Sequence, residues 1–91
     1  MEVTGTIKVI EATLQVSDKF KKKEFVLELD GQYPQPILIQ LVNDKCSLLD
    51  NIYAGTKVSV SINLKGREWN SPQGETKYFN TIEAWKITKV Q

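Results

Sequence analysis

The residues able to do chemistry in this 91-residue chain are cations and aromatic rings, because it has no histidine and a single cysteine, Cys46. Two stretches concentrate them. Lys19, Phe20, Lys21, Lys22 and Lys23 stand side by side early in the chain. Lys65, Arg67, Trp69, Lys77, Tyr78 and Phe79 flank a polar turn near its end. Interleaved rings and cations suit one kind of ligand. Rings stack on bases, at ~1–3 kcal/mol per base, and cations track a phosphate backbone, as a single-stranded nucleic acid requires. These residues form the candidate binding set.

The missing histidine excludes much else. No Ser-His or Cys-His nucleophile pair can form, and the usual general base at neutral pH is absent. One Cys without His cannot build a structural zinc site. The sequence contains no P-loop, HExxH or CxxC. An enzyme, a metal and a cofactor are therefore not expected. Neither is a disulfide framework, since Cys46 is alone. Twelve Lys and Arg against eleven Asp and Glu leave a net charge of +1. Binding to nucleic acid does not follow from that total. It follows from placement, because four of the twelve cations fall in the stretch from Lys19 to Lys23.

The opening MEVTGTIKVIEATLQ lacks the basic start and apolar run of a signal peptide. No window approaches the ~20 apolar residues of a membrane span. With the lone cysteine, this favours a reducing, cytoplasmic setting and no membrane partner.

The elements that must position the candidate residues read as strands with one helical interruption. Val3 to Val16 is a long β-leaning run. Its apolar phase moves from Gly5, Ile7 and Val9 to Ala12, Leu14 and Val16, which predicts a bulge or sharp bend after Ile10. Ser17 to Lys23 reads as a loop. Phe25, Leu27 and Leu29 form the apolar face of a second strand, which leaves Glu24, Val26 and Glu28 on the other. Pro34 and Pro36 delay the third strand to about residue 37, and its run ILIQLV predicts cover on both faces. Asn43 or Asp44 is a candidate N-cap for a helix of two to three turns through Cys46 and Leu49, stopped by Gly55. Cys46 is expected to pack as a small core residue. Val58, Val60, Ile62 and Leu64 predict a half-buried fourth strand. Asn70 to Gly74 is turn chemistry, and Tyr78 to Ile87 is the last strand. Tyr78 and Phe79 are neighbours, so only one of them is expected to face the core. Trp85 and Ile87 are expected to share a face with Glu83, where they could form a subunit contact.

Five strands with a short helix between the third and fourth predict a single all-β domain over residues 1–91. The best match is an oligonucleotide/oligosaccharide-binding (OB) barrel. An SH3-like barrel, which has no natural place for that helix, ranks second. In an OB barrel the helix plugs the bottom. The ligand face lies on strands 2 and 3 and on the loops joining strands 1–2 and 4–5. Both candidate clusters fall at those loops.

The stretch from Gly55 to Ile87 resembles the strand 4–5 hairpin of bacterial single-stranded DNA-binding (SSB) proteins. The residues that carry the likeness are Gly55, Val58, Val60, Leu64, Arg67, Trp69, Gly74, Tyr78, Thr81, Ile82 and Ala84. As a whole the chain is similar to small SSB-like OB proteins common in Bacteroidetes, which share the Gly start, the KKxEFVLE strand, the QYP turn and the terminal AWKI. The resemblance implies a binding module for single-stranded DNA, or RNA, with little sequence preference, assembled as a dimer or tetramer. Two departures stand out. The connection DGQYPQ is shorter than the family's usual loop between strands 2 and 3, and the chain ends at Gln91 without the family's acidic tail.

A second reading remains open. Glu24 and Glu28 would repel phosphate if strand 2 presents them to the groove. An OB barrel turned to a protein partner or to self-assembly would fit an acidic face better.

Overall fold

The computed structural model describes residues 1–90. Its strands are β1 (Glu2–Ile10), β2 (Leu14–Ser17), β3 (Phe20–Leu29), β4 (Pro36–Val42), β5 (Lys57–Asn70) and β6 (Thr76–Lys89), with one short helix over Asn43–Leu49. The sheet closes on itself. β1 pairs with both β3 and β5, β3 with β4, and β5 with β6, all antiparallel. A parallel contact at Gln40–Glu83, between β4 and β6, completes a ring of five strands. This is the expected OB barrel with its helix between the third and fourth strands, the first strand being divided into β1 and β2.

The division of the first strand differs from the expected bend. Ile7 lies opposite Leu27 and Val9 opposite Val26, so Lys8 is an extra residue and forms a bulge. One inserted residue inverts the phase. Ile7 therefore points into the core, Val9 is exposed, and Ile10 packs against the core again. The phase change thus comes at Lys8 and not after Ile10. Leu14 and Val16, expected as a new apolar set, are exposed, because β2 pairs only with β3 at the sheet margin.

Gly5 makes closure possible. It sits opposite Leu29 of β3 and Val58 of β5 at once. A Cβ there would lie 2.2 Å from the Glu28 carbonyl oxygen. Only glycine lets the three backbones meet this closely.

The core is built from Ile7, Phe25, Leu27, Ile39, Leu41, Val58, Val60, Ile62 and Ala84, with Cys46, Leu49 and Ile52 closing the bottom. The helix is a 3-10 helix, which is common for so short a segment. Neither Asn43 nor Asp44 caps it. Val42 occupies the N-cap position with no side-chain bond. Asn43 instead has φ 49°, and its Oδ1 accepts the Lys21 N–H at 3.1 Å, which ties the helix start to β3. Cys46 is buried, with Sγ 3.5 Å from the Leu41 carbonyl oxygen.

β5 and β6 outrun the barrel. Their pairing continues from Val58–Lys89 to Asn70–Thr76, whereas core burial stops at Ile62 and Ala84. Leu64, expected in the core, is 67% exposed because it is the first position of this ribbon on that face beyond Ile62, where the core ends. The seven residues from Leu64 to Asn70 give an arm of roughly 23 Å at the usual strand rise. The radius of gyration, 14.7 Å, exceeds the ~12 Å of a compact chain of this length. The tip is well held. Ser71 Oγ accepts the backbone N–H groups of Gln73 and Glu75, and Thr76 Oγ1 donates to Asn70 Oδ1 at 2.9 Å.

Candidate nucleic-acid interface

Residues directly opposite in an antiparallel ribbon share a face. On the arm, Lys65 faces Thr81, Arg67 faces Phe79 and Trp69 faces Lys77. Lys65, Arg67, Trp69, Lys77 and Phe79 therefore project together from one side. Arg67, Trp69, Lys77 and Phe79 line a shallow hollow of ≈ 270 Å³. The Lys77 ammonium lies over the Trp69 ring, 6.0 Å from its centroid. Trp69 is 41% and Phe79 50% exposed, so both rings have free faces. Lys65 is partly committed, with Nζ 3.3 Å from Glu83 Oε1.

Tyr78 pairs with Glu68 on the opposite side of the ribbon. Both Tyr78 and Phe79 are exposed, contrary to the expectation that one would be buried. The reason is that this part of β6 has no core beneath it. Trp85 also departs from its expected place. Ser61 pairs with Lys86 and Ile62 with Ala84, so Trp85 is the extra residue of a bulge. Ile87 then turns inward against the core while Trp85 stays exposed, and the two do not share a face.

The stretch expected as a loop from Ser17 to Lys23 is mostly strand. Only Asp18 and Lys19 form the turn, and β3 begins at Phe20. Strand alternation then divides the cluster. Phe20 and Lys22 fall on the outer face with Glu24. Lys21 and Lys23 fall on the other. Lys19 and Lys21 line a separate polar hollow of ≈ 490 Å³ with Gln15, Asp18, Asn43 and Asp44. Lys23 is half-buried opposite Leu41.

Lys22 and Glu24 lead toward the arm. They line a hollow of ≈ 400 Å³ whose other walls include Leu38, Gln40, Phe79 and Thr81. They also line a smaller hollow of ≈ 200 Å³ beside Glu11, Ala12 and Leu14. Shared walls make the three hollows one trough: Lys22 and Glu24 join the first two, and Phe79 joins the arm. Glu24 is thus in the groove, as the sequence predicts for strand 2. Glu28 is not among its walls. It lies opposite Thr6 and Pro36 and pairs with Lys8 at 3.6 Å.

Leu38 is a groove residue that the sequence did not disclose. The run ILIQLV suggested cover on both faces, yet Leu38 is 53% exposed on the trough side. Gln40 was missed for a different reason. Its neighbour Glu83 is far away in sequence, and no local pattern reports a parallel contact.

Among the described residues, no cluster of His, Cys, Asp and Glu could hold a metal ion, and no helix is long and apolar enough to cross a membrane.

Solved structures with this fold include the mitochondrial single-stranded DNA-binding protein Rim1 of Saccharomyces cerevisiae. It superimposes with a TM-score of 0.72 at 13% identity, over 100% of this chain and 93% of that one. The dimeric N-terminal domain of the PriB protein from Thermoanaerobacter tencongensis gives 0.69 at 20% identity, over 100% and 94%. At such identities the likeness establishes the fold. No curated protein matches the sequence. A family model described as a domain of unknown function, DUF3127, matches residues 2–88, and the chain belongs to that family.

Proposed function

We propose that this chain is a non-enzymatic OB module that binds single-stranded DNA, or RNA, in the trough between β3 and the β5–β6 arm. The observation that carries the reading is the single arm face on which Trp69, Phe79, Arg67 and Lys77 meet. Trp69 and Phe79 stack on successive bases. Arg67 and Lys77, with Lys22 across the trough and Lys65 at the arm's root, contact phosphates. Phe20 extends the stacking surface at the start of β3. Tyr78, Lys19, Lys21 and Lys23 take secondary parts at most, given the faces they occupy. Stacking is tolerant of base identity, so the arm confers little sequence preference.

The likeness to Rim1 and PriB supports the reading at the level of the fold. The dimeric PriB domain also supports a homo-oligomer for this chain. Its assembly is a dimer or a tetramer. A cytoplasmic setting completes the proposal. Titration of labelled oligo-dT at low salt tests it. Binding should change anisotropy and quench tryptophan fluorescence. Absence of both at high micromolar protein overturns the reading.

The alternative, a protein-interaction or self-assembly module, draws on Glu11 and Glu24 in the trough and on the exposed rings of the arm. A homo-oligomer that buries Trp69 and Phe79 between subunits would favour it.

A further inference from the structure

The floor of the trough holds groups that stacking and phosphate neutralisation do not use. Glu24 and Gln40 are direct partners across β3 and β4, and both are half-buried. Both line the ≈ 400 Å³ hollow that Phe79, Leu38 and Thr81 also wall. The neighbouring carboxylate, Glu83, is engaged by Lys65. Glu24 takes part in none of the ion pairs among the described residues.

A free carboxylate here repels phosphate, so a strand crossing the trough turns a base edge toward it, not its backbone. A carboxylate only accepts hydrogen bonds, whereas the Gln40 amide can both donate and accept. Guanine matches that pair best. Its Watson–Crick edge sets two donors, N1–H and N2–H, side by side, with the O6 acceptor next to them. Glu24 can take both donors in the bidentate manner of a carboxylate, and the Gln40 amide can donate to O6. Cytosine and adenine offer one amino donor each. Thymine presents a single N3–H between two carbonyl oxygens, which a carboxylate repels. Phe79 supplies a ring for the base to lie on and Leu38 an apolar wall. In single strands, bases are read by this combination of stacking and edge contacts.

We propose that this hollow is a guanine-selective base pocket read by Glu24 and Gln40, one selective position in a strand otherwise held by stacking and charge. The inference deepens the proposed function and rests on it.

The test compares a dT oligomer with the same oligomer carrying one central dG, which cannot form a quadruplex. The dG strand should bind roughly tenfold tighter, within the usual discrimination of a bidentate contact. Deoxyinosine, which lacks the N2 amine, should lose most of that gain. Glu24→Gln should bring the dG and dT strands within about twofold of each other, by loss of dG affinity. Gln40→Ala should reduce the dG preference in part. Equal binding of dG and dT strands by the unsubstituted protein, or a dG preference unchanged in Glu24→Gln, overturns the pocket while the proposed function stands. No binding to any strand overturns both.

Discussion

Trp69 and Lys77 face each other across the β5–β6 ribbon, with the Lys77 ammonium 6.0 Å from the centre of the Trp69 ring. An exposed pair of this kind contributes ~0.5–1 kcal/mol, too little to be needed for folding on an arm with no core beneath it. Its consequence is positional. The ammonium restrains the ring and sets a cation beside its exposed surface. The hydrogen bonds of Ser71 and Thr76 at the tip keep the two strands in that register.

Removing the rings should separate the two faces of the arm. Trp69→Ala and Phe79→Ala should each weaken single-stranded DNA binding by about 5- to 150-fold, the equivalent of ~1–3 kcal/mol per stacked base. Tyr78→Ala, on the opposite face, should change affinity less than about twofold. Anisotropy titrations of the three variants at one salt concentration check this. A Trp85→Phe background assigns any tryptophan quenching to Trp69, because the chain has only two tryptophans.

Salt should report which cations meet phosphate. Each neutralised phosphate on a single strand contributes about −0.7 to the slope of log K against log salt. Arg67→Ala and Lys77→Ala should each make the slope shallower by roughly that amount, and Lys22→Ala likewise. Lys19→Ala and Lys21→Ala should leave it nearly unchanged, since both residues face the separate hollow with Asp18 and Asp44. A slope equally sensitive to all five substitutions would extend the strand's path over the β2–β3 turn as well.

Barrel closure should depend on Gly5. A methyl group there meets the Glu28 carbonyl at 2.2 Å, and backbone cannot yield as a side chain can. Gly5→Ala should cost ~1–3 kcal/mol or more, as overpacking does. Gly66, on the arm, has open space around its Cβ position and an ordinary φ, so Gly66→Ala should be neutral or slightly stabilising. Urea denaturation of both variants measures the contrast.

Much of this architecture was legible because barrel strands carry period-2 patterns. Phe25 and Leu27, and Val58, Val60 and Ile62, announced their buried faces without reference to any other strand. The misreadings came where a local pattern met a nonlocal fact. Leu64 continues the Val58–Ile62 alternation perfectly, yet the core ends before it, and only the other strands determine where a core ends. The lysines from Lys19 to Lys23 looked like one patch because sequence proximity hides strand alternation. The bulges at Lys8 and Trp85 change phase by one residue at sites that no residue type marks. Of the candidate site, the arm's rings and cations were readable as a set. Their division into two faces needed the register, and the meeting of Glu24 with Phe79 needed the closed sheet.

The arm also separates the two functional readings. If its ring face binds nucleic acid, that face is free in the assembled protein, whatever the number of subunits. Trp69→Ala and Phe79→Ala should then leave the sedimentation coefficient of the protein unchanged while they weaken binding to an oligonucleotide. A self-assembly surface predicts the reverse. Losing a buried aromatic from an interface commonly costs ≥ ~2 kcal/mol, enough to dissociate an oligomer at low micromolar concentration. Sedimentation velocity of the unsubstituted protein and both variants, with and without an oligonucleotide, distinguishes the cases. A shift to smaller species in Trp69→Ala, with no oligonucleotide bound by any of the three proteins, would assign the arm to subunit contact.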